Sequence, residues 1–220
     1  QIARQEVRLF EKAVVGHPRV EQARGAADLR RTIAAGKIGA LLSLEGPAPL
    51  DGQPELMRKL YAKGVRMASL TWNEDNTFAT GAKTRSKKGL SDQGVRLLRL
   101  MEDLGIVVDV SHASQATFWD IIARSRYPVV ASHSNAASVH GHRRNLDDAQ
   151  LWAIRDTGGV VGLNFHSRFL GSRGRATIKD VLVHARHLRK VMGPEHLALG
   201  SDFDGQIVPP GDLEIGRAHV

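Results

Sequence analysis

Six short apolar runs, four of which end in an ionisable residue, alternate with helical stretches along this 220-residue chain. The runs cover residues 38–45, 65–72, 106–112, 128–133, 159–165 and 197–202. Continuous apolar runs of this length are typical of parallel strands that are buried on both faces beneath layers of helices. The pattern therefore predicts an α/β fold built on a parallel sheet, either open or closed into a barrel.

Apolar residues at helical spacing fill the intervals between these runs. The predicted helices are 55–63, 91–104, 114–124, 147–157 and 178–192, and two more, 1–14 and 26–35, precede the first run. No strand is predicted before residue 38. Ser91 and Thr177 stand where N-terminal caps belong. Because no linker or change of composition interrupts the chain, we predict a single domain over residues 1–213.

Composition limits the chemistry that this chain can perform. It contains no cysteine, so a bound metal would have to be held by His and carboxylate groups. The net charge of +8 is spread through the helical stretches and aromatic residues make up only 5% of the chain, so no nucleic-acid partner is expected. No apolar run approaches the roughly 20 residues of a membrane-spanning helix, so no membrane segment is expected either.

Four ionisable residues lie at or just after the ends of four different predicted strands, namely Glu45, His112, His133 and Asp202. The carboxyl ends of barrel strands form the active-site face, where catalytic groups come from several strands. Two imidazoles and a carboxylate suit Zn²⁺ or another first-row divalent ion, which activates bound water and polarises a carbonyl group. A further carboxylate that is not a ligand is free for proton transfer. This set predicts metal-assisted hydrolysis.

Seven short motifs occur in the order and spacing of one known family. They are Ser43-Leu-Glu-Gly46, Leu70-Thr-Trp-Asn73, Gly89-Leu-Ser91, Val108-Asp-Val-Ser-His-Ala-Ser114, Ser132-His-Ser134, Arg143-Arg-Asn145 with Asp147-Asp148, and Ser201-Asp-Phe-Asp-Gly205. Together they resemble the renal (membrane) dipeptidases, peptidase family M19, and in particular bacterial members, over about residues 26–212. The resemblance implies a (β/α)8 TIM barrel of the metallo-dependent hydrolase type that hydrolyses dipeptides with two zinc ions.

The resemblance also implies roles for the four strand-end residues. Glu45 corresponds to the carboxylate that bridges both ions. His112 and His133 correspond to the other ligands of one of those ions. Asp202 corresponds to the catalytic residue that handles the proton on the tetrahedral intermediate and on the leaving amine.

Two further residues are implied in substrate binding. Arg144 resembles the group that holds the terminal carboxylate of the substrate, a role that suits the two-pronged guanidinium. Trp72 stands where the mammalian enzymes carry a substrate-contacting His, and an indole donates one hydrogen bond but carries no charge. We therefore expect a small dipeptide as substrate, while its identity and its L or D preference stay open.

The chain departs from the family pattern at both ends. Family members begin with a strand that ends in His-x-Asp and supplies the remaining ligands of the first ion, and no such motif precedes Glu45. Six predicted strands agree with an incomplete barrel that holds the third to the eighth strand, so the chain by itself is expected to be inactive. Residues 214–220 match the translation of a common sequencing-adapter read and are predicted to be a non-native tail.

Two other functions stay open at this point. One is another amidohydrolase-like TIM-barrel metal hydrolase, although those families place a lysine at a strand end and none occurs at the six ends here. The other is a non-catalytic binding protein on a degenerate barrel. A homodimer is kept open as the assembly, and a bacterial protein, either cytoplasmic or exported, is expected.

Asp109, His142 and His184 lie outside the predicted site and are interpreted separately. Asp109 has two interpretations, the orientation of a metal ligand or a place in the helix layer. His142 lies in the loop with Arg144 and is interpreted as a solvated residue, with contact to the substrate or to a metal ligand as the alternative. His184 is interpreted as a surface or helix-capping residue.

Overall fold

The computed structural model describes residues 2–171 and 174–213, and strands alternate with helices along them. The strands are β1 Val20–Gln22, β2 Ile38–Ala40, β3 Leu42–Leu44, β4 Val65–Ser69, β5 Val107–Asp109, β6 Val129–Val130, β7 Val161–Leu163 and β8 Leu197–Leu199. The helices are α1 Ile2–Val15, α2 Ala26–Ala34, α3 Leu56–Ala62, α4 Asp92–Asp103, α5 Gln115–Arg124, α6 Asp148–Asp156, α7 Ser167–Leu170 and α8 Ile178–Met192. This is the α/β class that the apolar runs predict, but the described residues contain eight strands rather than six, because the run 38–45 forms both β2 and β3 and because β1 precedes it.

The strands are arranged in the order of the chain. β1 pairs with β2, the next sheet has the order β3-β4-β5-β6, and β7 pairs with β8. The β1–β2, β3–β4 and β7–β8 pairs are parallel. Ala131, directly after β6, forms a parallel bridge to Val161 of β7. Parallel strands in chain order with intervening helices are the repeat of a TIM-barrel-like fold.

Strand β1 lies where no strand was predicted. It runs parallel to β2, with Val20 opposite Ile38, so the prediction of no strand before residue 38 is wrong. β1 contains only one apolar residue, and its Glu21 carboxylate accepts a hydrogen bond from Thr32. Backbone pairing with β2, rather than an apolar run, therefore defines this strand.

The chain divides into two compact units. The first unit comprises Gln1–Val108 with Ala113–Ile121, and the second comprises Asp109–His112 with Ile122–Val220. The single domain predicted over residues 1–213 stays a prediction, and the predicted tail at 214–220 lies outside the described residues. No helix in the described part of the chain is both long enough and apolar enough to cross a membrane.

Helix α4 supplies much of the core of the first unit. Leu97, Leu98 and Met101 lie on one face of the helix and are fully buried. Ser91 caps the helix, because its hydroxyl accepts the Gly94 N–H at 3.0 Å. The predicted cap is therefore confirmed, and it fixes the start of α4.

Helices α6 and α8 pack together in the second unit. Leu151 and Ile154 of α6 and Leu188 of α8 are fully buried. The N-terminus of α6 is fixed by a reciprocal pair of hydrogen bonds: Asp147 Oδ1 accepts the Gln150 N–H at 2.9 Å, and Gln150 Oε1 accepts the Asp147 N–H at 3.1 Å. This cap holds the chain directly after the Arg143-Arg-Asn145 segment.

Two glycines allow the second unit to pack closely around residue 132. A Cβ atom added to Gly162 would lie 2.1 Å from the Ser132 carbonyl oxygen, and one added to Gly200 would lie 1.9 Å from it. No side chain fits at either position without a shift of backbone. β7 and the end of β8 therefore approach the residue that directly precedes His133.

Candidate functional site

The ends of β5 and β6 bring His112 and His133 together in the second unit. Their Nε2 atoms lie 2.9 Å apart, and the two rings cross at 63°. His112 is buried. The prediction that these two side chains converge is confirmed.

The histidine pair has the geometry of two ligands for one ion. Two nitrogens of a tetrahedral zinc site, each about 2.0–2.1 Å from the ion, lie about 3.3 Å apart. The observed Nε2–Nε2 distance of 2.9 Å is a few tenths of an ångström shorter. The pair therefore fits a divalent ion after a small separation of the rings.

The buried carboxylate of Asp109 links the two histidine-bearing segments. Asp109 Oδ1 accepts the N–H groups of Ser111 and Ser132, each at 3.0 Å, and the Ser111 hydroxyl at 2.6 Å. Asp109 Oδ2 accepts the Ser132 hydroxyl at 2.5 Å, and Ser132 Oγ lies 2.7 Å from His133 Nδ1. Of the two interpretations of Asp109, the structure therefore supports contact with the histidine segments.

Asp202 follows β8 in a left-handed backbone conformation, with φ at 66°. This conformation is uncommon for residues other than glycine, and such strain is concentrated at functional sites. Its Oδ2 atom accepts a hydrogen bond from Asn164 Nδ2 at 2.9 Å. Asn164 is fully buried, and its own backbone N–H donates to Asn135 Oδ1 at 3.1 Å. Asp202 is thus held in place from the end of β7.

Asn164 is a residue that the sequence interpretation missed. It directly follows β7, where a polar residue interrupts the apolar run 159–165. The same strand-end position identified His112 and His133, so the signal was available in the sequence.

The guanidinium of Arg144 is buried in the second unit, with 5% of the residue exposed. Arg144 Nη2 donates to the His133 carbonyl oxygen at 3.4 Å, and its guanidinium carbon lies 5.4 Å from the centre of the Phe169 ring. The predicted carboxylate-binding group therefore lies directly beside one of the predicted metal ligands.

His142 supports Arg144 from behind. Its Nδ1 atom accepts the Arg144 N–H at 3.2 Å, and its ring stacks on Phe169 with centroids 4.5 Å apart. Burial lowers the pKa of His142 to about 4, with a further contribution from nearby positive groups, so the ring stays neutral and can accept this bond. The interpretation of His142 as a solvated loop residue is wrong, because this stack half-buries it.

His184 is also placed differently from its prediction. It is fully buried, with Nδ1 accepting the Ala136 N–H at 3.2 Å and Nε2 within 3.2 Å of the Leu170 carbonyl oxygen. Burial lowers its pKa. His184 is therefore a core residue that joins α7 and α8, and the prediction of a surface or capping role is wrong. His184 shares a face of α8 with the buried Val181 and Leu188, so helical spacing could have indicated its place in the core.

Glu45 and Trp72 lie at the ends of neighbouring strands in the first unit. Glu45 follows β3, and the next residue, Gly46, donates its N–H to Ser69 Oγ at 2.8 Å. Gly46 has a φ of 77°, and a Cβ atom there would lie 3.2 Å from the Trp72 Cβ. Trp72 is 49% exposed, with Lys83 Nζ 5.5 Å from the centre of its ring. Both residues therefore occupy the carboxyl end of the β3–β4 pair, as predicted.

Comparison with known proteins identifies relatives along almost the whole chain. The sequence profile described as membrane dipeptidase (peptidase family M19) matches residues 1–216. An uncharacterized protein from the pqqA 5' region of Klebsiella pneumoniae is 36% identical over 210 residues, which are 90% of this chain and 78% of that protein. An uncharacterized dipeptidase of Schizosaccharomyces pombe is 41% identical over 185 residues, which are 81% of this chain and 44% of that protein.

Solved structures give the same result. The chain superimposes with a TM-score of 0.86, at 31% identity, on a metallopeptidase from Rhodobacter sphaeroides liganded with a phosphinate mimic of the dipeptide L-Ala-D-Ala. The match covers 94% of this chain and 61% of that one. The chain thus spans about half to four fifths of the length of these relatives.

Proposed function

This chain belongs to the membrane dipeptidase family, peptidase family M19, and from that premise we propose that it hydrolyses the peptide bond of small dipeptides with bound zinc. The observation that carries the proposal is the pair of facing nitrogens on His112 and His133, with the Arg144 guanidinium beside the His133 carbonyl. In a dipeptide the scissile carbonyl and the terminal carboxylate are separated by a single residue. A metal-binding pair next to a buried arginine suits both groups.

For the metal, we propose that Glu45, His112 and His133 are the ligands. One carboxylate and two imidazoles form a donor set that could hold a metal ion, and that set suits zinc. By the family resemblance Glu45 would also help to hold a second ion. Bound zinc supplies polarisation of the scissile carbonyl and a lowered pKa of the attacking water.

For the proton transfer, we propose the carboxylate of Asp202. The hydrogen bond from Asn164 holds Oδ2 in place, so the side chain does not have to be ordered during the reaction. As a general acid and base, Asp202 takes a proton as the tetrahedral intermediate forms and delivers it to the leaving amine.

For substrate binding, we propose Arg144 and Trp72. The Arg144 guanidinium is buried against Phe169, so its charge is poorly solvated and pairs strongly with a carboxylate. Trp72 offers a half-exposed ring as a wall for the substrate side chain. L-Ala-D-Ala is the first substrate to test, because its phosphinate mimic is bound by the Rhodobacter sphaeroides relative.

The metal assignment is tested by zinc binding. We expect His133→Ala to lower zinc affinity severely, because it removes one of three proposed ligands. His187→Ala is the matched control, since His187 lies on α8 and contacts Asp148 rather than the site. Equal zinc binding by the two variants would reject the assignment.

The activity is tested by release of free amino acids from a dipeptide panel. This chain is compared with the same chain preceded by a family strand that ends in His-x-Asp, each with and without a chelator. We expect zinc-dependent hydrolysis by the extended chain. Hydrolysis of lactones or deamination in place of dipeptide cleavage would favour the alternative amidohydrolase-like function, and zinc-loaded protein without any turnover would favour a binding protein.

A further inference from the structure

The carboxylate of Asp109 makes contacts that the proposed function does not use. It is 6% exposed and accepts four hydrogen bonds, two from backbone N–H groups and two from hydroxyls. One N–H and one hydroxyl come from Ser111, and the other pair comes from Ser132. Each serine directly precedes one of the two histidines, so a single side chain fixes both histidine-bearing segments.

The hydrogen-bond pattern determines which nitrogen of His133 carries the hydrogen. A carboxylate can only accept, so the single hydroxyl hydrogen of Ser132 is directed to Asp109. Ser132 Oγ is then an acceptor towards His133 Nδ1, 2.7 Å away, and Nδ1 must be the donor. A neutral imidazole with a hydrogen on Nδ1 has a free lone pair on Nε2.

The lone pair on His133 Nε2 points at the position where the two rings meet. His133 Nε2 faces His112 Nε2 at 2.9 Å, so in the metal-free chain the hydrogen of this contact lies on His112. Metal ligation by Nε2 needs this lone pair, and a hydrogen bond from the other ring nitrogen is the usual device that fixes it.

We propose that Asp109 is the positioning residue of this site, and that it acts through Ser132 to hold His133 in the tautomer that presents Nε2 to a metal. The tautomer is inferred from the hydrogen bonds alone. Its importance for metal binding rests on the proposed metal-dependent function.

Asp109→Asn provides a test, because it conserves the shape of the side chain but replaces one acceptor oxygen with a donor NH2 group. Both backbone N–H groups point at Oδ1, so the carbonyl oxygen of the new amide takes that position and its NH2 group faces Ser132. Ser132 then accepts from the amide and donates to His133 Nδ1. The ring hydrogen moves to Nε2, and the lone pair is lost to the metal.

The first measurement is the tautomer of His133 by nitrogen-15 NMR of the metal-free chain at mildly alkaline pH. We expect the Nδ1–H form in the parent and the Nε2–H form in Asp109→Asn. The second measurement is zinc affinity, which we expect to fall about 10–100-fold in that variant.

Asp148→Asn is the matched control. Asp148 Oδ1 also accepts from a serine hydroxyl and an imidazole, Ser138 Oγ at 2.9 Å and His187 Nε2 at 2.7 Å, but it lies on α6. It should change neither the His133 tautomer nor zinc affinity. Ser132→Ala is the second test variant if Asp109→Asn does not fold. Without the Ser132 hydroxyl, the preference of His133 for the Nδ1–H form should be lost and zinc binding should weaken.

The outcomes separate the two proposals. If His133 in Asp109→Asn retains the Nδ1–H form and zinc affinity is that of the parent, the positioning role of Asp109 is wrong. The same holds if the parent carries the Nε2–H form. If the tautomers change as expected but the parent binds no zinc, the positioning role stands and the metal-dependent function fails.

Discussion

Gly200→Ala is expected to disturb the site through the backbone. The added Cβ atom would lie 1.9 Å from the Ser132 carbonyl oxygen, whereas ordinary contact begins at about 3.4 Å. The difference requires a movement of about 1.5 Å. The atom in the way belongs to the main chain and not to the far end of a flexible side chain, so neither strand end can give way cheaply.

The expected cost is at the upper end of the about 1–3 kcal/mol that is typical of overpacking. A chain of this size loses roughly 2–4 °C in Tm per kcal/mol, so the thermal midpoint should fall by roughly 6–12 °C. Because Ser132 directly precedes His133, zinc affinity should fall as well. Thermal unfolding followed by circular dichroism and zinc competition against a chromophoric chelator measure the two effects.

Gly211→Ala is the control for Gly200→Ala. A Cβ atom there would lie 3.4 Å from Arg175 Cδ, a side-chain atom that can move. The Tm of Gly211→Ala should stay within roughly 2 °C of the parent value, which corresponds to a loss of stability below about 1 kcal/mol. If Gly200→Ala melts like the parent, or if Gly211→Ala loses as much stability, the argument from close backbone approach is refuted.

Three further predictions concern the reaction and the pH dependence of stability. In the chain extended by a His-x-Asp strand, Asp202→Asn should bind zinc as the parent does and lose about 10²–10⁴ in kcat, and loss of zinc binding would reject the proton-transfer role. Arg144→Lys should raise KM about 10–100-fold with a smaller change in kcat, because Lys cannot pair with a carboxylate through two prongs; an unchanged KM would contradict it. Burial lowers the pKa of His166 and His184 and, together with nearby positive groups, that of His142 to about 4. The unfolded chain therefore binds more protons below about pH 6.5, and the free energy of unfolding, measured with urea, should decrease as the pH falls from about 6.5 towards 4. A constant free energy over that range would show that these rings are protonated in the folded chain.

Sequence periodicity was sufficient where burial determines the structure. Helix α8 was predicted at residues 178–192 and is found at Ile178–Met192, because a long amphipathic stretch has a clear repeat and a clear cap. Strand β1 was missed because it contains a single apolar residue and depends on its pairing with β2. Short strands that are held by the backbone leave little trace in composition.

The site likewise contains one feature that the sequence could predict and one that it could not. The convergence of His112 and His133 could be predicted, since the carboxyl ends of parallel strands share one edge of a sheet. The role of Asp109 could not be predicted from the sequence. The direction of its side chain depends on the residue at which β5 ends, and the apolar pattern does not define that residue. β5 ends at Asp109 itself, so the alternation of faces no longer determines the positions that follow.

The position of Asp109 predicts that metal binding and local folding are coupled in the second unit. A buried carboxylate is costly unless it is hydrogen-bonded, and its four donors come from the two segments that follow β5 and β6. The cost of burial is offset only when both segments are placed so that Ser111 and Ser132 donate to Asp109. The same placement brings the Nε2 atoms of His112 and His133 to 2.9 Å. The arrangement that satisfies the Asp109 carboxylate is therefore the same arrangement that brings the two histidines into position to bind a metal.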